Sequence, residues 1–223
     1  MWIKICANTS LEDAKLAADL GADAVGFVFA PSKRRVTAEQ VAAITPHLPA
    51  SVERVGVFDS LDAEEIARVV RTAGLNAIQL HGTPDHALAR RLHELFDGKA
   101  QIIQTVHWQV NSDGEDATAV AKQLPEIAAA GIADRVLIDS KVGAATGGTG
   151  IAFNWEQARA TFAENAGSLK LIVAGGLRPE NVAEAIARMK PWGVDVASGV
   201  ESSPGKKDRS RLAAFIREAT RNG

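Results

Sequence analysis

The sequence predicts an α/β fold, a single (β/α)8 TIM barrel of the phosphate-binding type spanning residues 1–223. Three observations lead there. Short runs rich in Val and Ile alternate eight times with longer stretches rich in Ala, Glu, Arg and Leu. Strands that alternate with helices pair in parallel, because each return to the sheet needs a crossover. No linker, composition break or low-complexity segment divides the 223 residues, a length natural for one barrel. An open doubly wound sheet is the alternative arrangement of the same units.

The elements follow in order. "WIKIC" (2–6) is the first strand, and "SLEDAKLAADLG" (10–21) the first helix. Ser10 and Asp13 have capping-box spacing, and Gly21 is a natural stop. "AVGFVF" (24–29) precedes a helix from about Thr37, with Glu39 in its first turn. "SVERVGVF" (51–58) precedes "DAEEIARVVRTAG" (62–74), and "NAIQLHG" (76–82) precedes "TPDHALARRLHELF" (83–96), where Pro84 suits the first helical position. "AQIIQTVHW" (100–108) leads through a polar loop to a helix over about 116–130. "RVLIDS" (135–140), a long Gly-rich loop and a helix from about Asn154 form the sixth unit. "LKLIVAGG" (169–176) with "RPENVAEAIARMK" (178–190), then "GVDVASG" (193–199) with "DRSRLAAFIREAT" (208–220), complete the eight.

Composition narrows the function. With 46% hydrophobic and 23% charged residues a large core is expected, not disorder. A net charge of −2, with aromatics at 5% and no Tyr, argues against a nucleic-acid partner. The opening apolar run is too short for a secretory signal, and no stretch approaches the roughly 20 apolar residues of a membrane span. The single cysteine fits a reducing compartment. A soluble cytoplasmic protein, monomer or homodimer, is expected.

In such a barrel the site forms at the C-terminal ends of the strands. Cys6 ends strand one, His81 follows strand four and Asp139 ends strand six. Glycine-bearing loops follow strands six, seven and eight. In the first, Gly147, Gly148 and Gly150 let backbone N–H groups converge and Thr149 adds a hydroxyl. In the second, Gly175 and Gly176 stand before a helix N-terminus. The third supplies Ser198 and Gly199. Three such loops in consecutive units point to a phosphorylated small-molecule ligand. Their spacing matches neither a P-loop nor a dinucleotide fingerprint. The five histidines (47, 81, 86, 93 and 107) make no metal-binding pattern, so no metal is expected, and a G-x-S-x-G nucleophile elbow is missing. "PSKRRVT" (31–37) places Arg34 on the same rim, where a guanidinium can grip a carboxylate or simply be solvated.

Cys6 and Asp139 remain for proton chemistry, on strands that face the mouth from different sides. A lone Cys is more often a small core filler, and an Asp after a strand is often a cap. As a functional pair they suit isomerisation of a sugar phosphate, one group giving a proton and one taking it. The thiol then needs a cation or dipole to favour thiolate, and the acid needs burial or a nearby anion.

At these positions the chain resembles the phosphoribosylanthranilate isomerases of tryptophan biosynthesis. The marks are "IKIC" (3–6), "GADAVGFVF" (21–29), "SKRRV" (32–36), "RVGVF" (54–58), "NAIQLHG" (76–82), "LIDS" (137–140), "GGTG" (147–150), "AGGLRPENV" (174–182) and "VDVASGVESSPGKKD" (194–208). The resemblance implies a cofactor-free Amadori rearrangement of N-(5-phosphoribosyl)anthranilate, with Asp139 as general acid at the ring oxygen and Cys6 as general base at C2′. It implies Arg34 at the anthranilate carboxylate and the three glycine loops as the phosphate cradle. His81 and Asp195 match positions near the site. Three departures stand out. Ala7 follows Cys6 where the family has Gly, and Ala resists positive φ. Ala197 stands where a Ser is usual, and the loop "PSKRRV" is one residue shorter. Another sugar-phosphate isomerase or epimerase on the same barrel, or a degenerate phosphate-binding barrel, would share most of these features.

Overall fold

The computed structural model describes residues 1–59, 62–109, 115–142, 145–146 and 154–223. Among them, eight parallel strands close into a barrel: β1 (Trp2–Ile5), β2 (Ala24–Val28), β3 (Glu53–Phe58), β4 (Ala77–Leu80), β5 (Gln101–Gln109), β6 (Arg135–Val142), β7 (Lys170–Val173) and β8 (Gly193–Val196). Each pairs with its sequence neighbour, and β8 returns to β1 with Trp2 opposite Gly193 and Lys4 opposite Asp195. That closure excludes the open sheet.

Alternation along the strands divides the apolar side chains into two sets. Trp2, Ala24, Val55, Ala77, Ile103, Leu137 and Ile172 fill the barrel interior. Ile3, Ile5, Val25, Phe27, Ile78, Val136 and Val173 point outward into the layer under the helices. At the N-terminal end of the barrel Trp2 stacks on Trp192 at 5.2 Å, and the Arg135 guanidinium lies 4.8 Å from the Trp192 ring centre. A Cβ on Gly193 would stand 2.8 Å from the Trp2 ring, so glycine is what admits this plug.

The helices are α1 (Leu11–Asp19), α2 (Ala38–Ala42), α3 (Ala63–Ala73), α4 (His86–Leu95), α5 (Glu115–Ala130), α6 (Trp155–Asn165), α7 (Val182–Met189) and α8 (Arg209–Asn222). On α8, Leu212, Phe215, Ile216 and Ala219 repeat at helical spacing and are all buried. Truncating Phe215 to Ala would cost roughly 3–5 kcal/mol. Two local expectations need correction. The Ser10 hydroxyl does accept from Asp13 N–H at 3.2 Å, but Asp13 does not reciprocate as a capping box. Its buried carboxylate accepts from Lys207 N–H at 3.0 Å and ties the last loop to α1. The reciprocal box occurs instead at Thr37 and Gln40. Pro84 is not the first helical residue, because Asp85 caps α4 by accepting from Ala87 and Leu88 N–H. No helix among the described residues is long and apolar enough to cross a membrane.

Candidate active site

A cavity, partly open to solvent, occupies the C-terminal mouth of the barrel. Cys6, Arg34, His81, Asp139, Asp195 and Ser198 line it. Gly175 and Gly176 form another part of its wall. The sequence-predicted site residues thus converge, with two exceptions. Gly199 directly follows Ser198 but does not line the cavity. Gly147, Gly148, Thr149 and Gly150 lie outside the described residues.

Cys6 leaves β1 pinned on both sides. Its N–H donates to the Val196 carbonyl at 2.8 Å, and Asn8 N–H donates to Gly26 O at 2.9 Å. Between them Ala7 takes φ 62° with its side chain 1% exposed. The backbone glycine would adopt is therefore kept, despite the Cβ, at about 1 kcal/mol. The Asn8 amide holds the turn by donating to Ile5 O and Gly26 O. A Cβ on Gly26 would stand 2.8 Å from the Cys6 sulfur and 3.0 Å from Lys4 Cε, so this glycine makes room for both side chains. Lys4, fully buried, donates to Asp195 Oδ1 at 3.0 Å and to Gln79 Oε1 at 2.9 Å. Burial pushes the Cys6 thiol up, Asp195 adds to that push, and Lys4 and Lys207 oppose it. The thiol is thus the major form in the free protein.

Asp139 is held by β6, opposite His107 on β5. Burial, then the charge of Asp195, raises its carboxyl to about 7, against partial opposition from the Ser140 N–H and Lys4. His81 Nε2 stands 4.0 Å from Asp139 Oδ2. Burial, with His107 and Lys4 nearby, lowers His81 to about 4, so it faces Asp139 as a neutral ring. His81, His107 and Asp139 bring ligand-type atoms within 4.8 Å of one another, a grouping the spacing of the histidines did not reveal. Ligands about 2.0–2.1 Å from a tetrahedral zinc ion lie about 3.3 Å apart. The 4.0 Å separation of His81 and Asp139 is wider than that, so the trio would have to close to hold such an ion.

Arg34 reaches the rim but is not solvated. Its Nε donates to Glu201 Oε1 at 2.9 Å and its Nη2 to Oε2 at 2.7 Å, leaving Nη1 to turn elsewhere. Burial would raise the Glu201 carboxyl, but Arg34 and Lys207 outweigh it and hold the group below the usual carboxylate range. Lys207 Nζ also donates to the Cys6 carbonyl, joining this cluster to the end of β1. Burial lowers Lys207, and Glu201 offsets part of that.

Two of the three glycine loops meet. Gly175 has φ 77° and Gly176 φ 67°, and a Cβ on Gly175 would run into the backbone and hydroxyl of Ser140. The Asn181 side chain accepts from Arg178 N–H and donates to Gly176 O, which fixes this loop ahead of α7. Ser198 and Gly199 form a short 3-10 turn after β8, and a Cβ on Gly199 would overlap the Leu177 carbonyl. Gly175, Gly176 and Ser198 thereby share the cavity wall with Cys6 ahead of α7, and backbone N–H groups, a hydroxyl and a helix N-terminus are chemistry suited to an anion.

Five residues of this architecture were not singled out from sequence: Lys4, Gln79, His107, Glu201 and Lys207. Lys4 alone carried a readable signal. A lysine two positions before Cys6 on a strand must face the same way as the thiol.

The model of the N-(5′-phosphoribosyl)anthranilate isomerase family matches residues 3–218. An enzyme of that name from Thermotoga neapolitana is 41% identical over 221 residues, covering 97% of each chain. One from Rubrobacter xylanophilus is 40% identical, covering 97% of this chain and 98% of its own. Among solved structures, phosphoribosyl anthranilate isomerase from Thermotoga maritima has a TM-score of 0.84 at 36% identity, covering 99% of this chain and 98% of that one. Another structure of such an isomerase, in complex with reduced 1-(o-carboxyphenylamino)-1-deoxyribulose 5-phosphate, has a TM-score of 0.79 at 36% identity and the same coverage.

Proposed function

Because the chain belongs to the N-(5′-phosphoribosyl)anthranilate isomerase family, we propose that it performs that isomerisation in tryptophan biosynthesis with Cys6 as general base and Asp139 as general acid. The observation that carries the residue assignment is that both groups line one cavity whose wall includes Gly175, Gly176 and Ser198. The phosphate would sit against those backbone N–H groups, with the loop at Gly147, Gly148, Thr149 and Gly150 as the third side. Arg34 would offer Nη1 to the anthranilate carboxylate while Glu201 holds the other edge of the fork. Asp195 would act through Lys4, and His81 as a neutral neighbour of the acid.

In the reaction, protonated Asp139 gives its proton to the furanose ring oxygen, and the ring opens to a Schiff base. The Cys6 thiolate then takes the C2′ proton. The enolamine so formed tautomerises to the ketone, and Cys6 and Asp139 re-exchange one proton before the next turnover. A protonated acid and an ionised base together carry one proton. The same single proton can sit on the thiol, and the upward push on Cys6 makes that the commoner form. The reactive form is the minority tautomer.

We take the chain as one barrel domain over residues 1–223 that acts in the cytoplasm without a cofactor, as a monomer or homodimer. A Thermotoga maritima relative is described as dimeric. The test is turnover of N-(5′-phosphoribosyl)anthranilate by the purified chain, run beside the imidazole aminoaldose of histidine synthesis. Turnover of the anthranilate substrate, with rescue of a tryptophan auxotroph, is expected. Turnover of only the imidazole substrate would overturn the reading.

A further inference from the structure

We propose that Lys4 and Asp195, paired inside the barrel between Cys6 and Asp139, are positioning residues that decide which of those two groups carries the shared proton. The inference rests on the general-base and general-acid reading of Cys6 and Asp139.

Lys4 sits on β1 opposite Asp195 on β8, and both point into the barrel. The Lys4 ammonium has three donors. One goes to Asp195 Oδ1 and one to Gln79 Oε1. The Cys6 sulfur and Lys4 Cε both lie over Gly26, so the ammonium charge stands close to the thiol. Gln79 is itself oriented, because its Nε2 donates to Thr105 Oγ1 and so turns the amide oxygen to Lys4. Burial would strip the charge from such a lysine, yet Asp195 and Cys6 together raise it above its ordinary value. The ion pair is hard to explain by stability. A buried pair costs its desolvation, and apolar residues of similar volume often serve as well or better. Its placement has a chemical consequence instead. A fixed cation at the thiol favours thiolate, and a fixed anion beside Asp139 favours the protonated acid. At the thiol Lys4 outweighs the opposing Asp195, and at Asp139 the charge of Asp195 outweighs the opposing Lys4, so the pair together pushes the single proton from sulfur towards the carboxylate, the direction catalysis needs. The other titratable neighbours are Lys207, with Arg34 beyond it, on the Cys6 side, and neutral His81 with His107 on the Asp139 side. Lys207 touches the Cys6 carbonyl and Glu201, so it braces the strand end more than the thiol.

The test compares Lys4→Met, Asp195→Asn and the double variant in the full chain. Cys6 is the only cysteine, so ultraviolet absorbance of the thiolate reports its titration alone. Lys4→Met is expected to move thiolate formation to higher pH. It should also lower kcat by about tenfold for each unit moved, with KM changed less than about threefold. Asp195→Asn is expected to move thiolate formation to lower pH, and the double variant to fall between them. Opposite shifts are a signature that a merely structural role would not give. Should Lys4→Met fail to fold, Asp195→Asn and the double variant carry the same comparison. Thiol titrations that coincide with wild type, with kcat unchanged, would overturn the inference. If Cys6→Ser is inactive while these variants titrate normally, the inference fails alone; if Cys6→Ser is fully active, the parent reading fails with it.

Discussion

Arg34 and Glu201 meet edge to edge across 167 residues of sequence, with Arg34 Nη2 2.7 Å from Glu201 Oε2. Glu201 lies almost wholly buried behind the guanidinium. The pair fixes the direction of a side chain that would otherwise sample many rotamers, and leaves one edge towards the cavity. Arg34→Ala is expected to raise KM by about 10–100-fold with kcat changed much less, the mark of a contact formed before the transition state. Glu201→Gln keeps the volume but loses the charge, and should raise KM in the same direction by a smaller factor. Steady-state kinetics on both variants checks this; an unchanged KM in Arg34→Ala would remove the carboxylate contact.

Ala7 holds φ 62° immediately after Cys6 at the end of β1. Ala7→Gly relieves a conformation that an L-residue resists but also loosens the unfolded chain, so the two effects oppose each other. Relief of about 1 kcal/mol of strain outweighs the added freedom of the unfolded chain, and a gain of roughly 2 °C in Tm is expected. Because Val196 and Gly26 hold the backbone on either side, kcat should stay within about twofold. A thermal scan and one rate measurement suffice. A large change in kcat would mean that Ala7 alters the aim of the thiol.

The alternation of strands and helices made the barrel legible, because period-2 and period-3.6 patterns are local. Cys6, Asp139, Gly175, Gly176 and Ser198 could be placed at the mouth for the same reason, since each ends a strand or follows one. What spacing does not encode is a partner across the barrel. Arg34 reads either as a carboxylate clamp or as a solvated charge until Glu201 is found folded against it, and Asp13 reads as half of a capping box until Lys207 is seen to claim its carboxylate. Lys4 marks the boundary between the two cases. Its inward direction follows from the alternation, but its engagement with Asp195 and Gln79 needed the closure of β8 on β1.

The pH profile follows from the two proton carriers. Asp139 titrates at about 7 and Cys6 above the ordinary thiol value. Below about pH 7 both groups are protonated and the rate falls tenfold per unit, for want of thiolate. Between the two values gain of thiolate cancels loss of acid, so kcat/KM is flat, and it falls again once the thiol ionises fully. A profile of kcat/KM against pH checks this. A decline on the acid side that begins only at about pH 5 would contradict the raised Asp139.

Stability carries the same signature. The folded-state value of Asp139 lies above its unfolded value of 3.8, so its contribution is fully present below that value. It is lost as pH rises through about 7, a loss of roughly 4 kcal/mol by pH 8. His81 has the opposite sign, stabilising above 6.5 and losing that as pH falls through about 4, and it is common to wild type and variant. Asp139→Asn should therefore be more stable than wild type at about pH 8, with the difference closing towards about pH 4. Denaturant unfolding at the two pH values checks the sign. A variant equally stable to wild type at both would contradict the buried, raised carboxyl.

The most direct test of the account is the isomerase rate of wild type beside Cys6→Ser. A hydroxyl in place of the thiol is a far weaker base at neutral pH, while the phosphate and carboxylate contacts stay in place. The expected result is a fall in kcat of at least about 100-fold with KM changed less than about threefold. An unchanged kcat in Cys6→Ser would contradict the account.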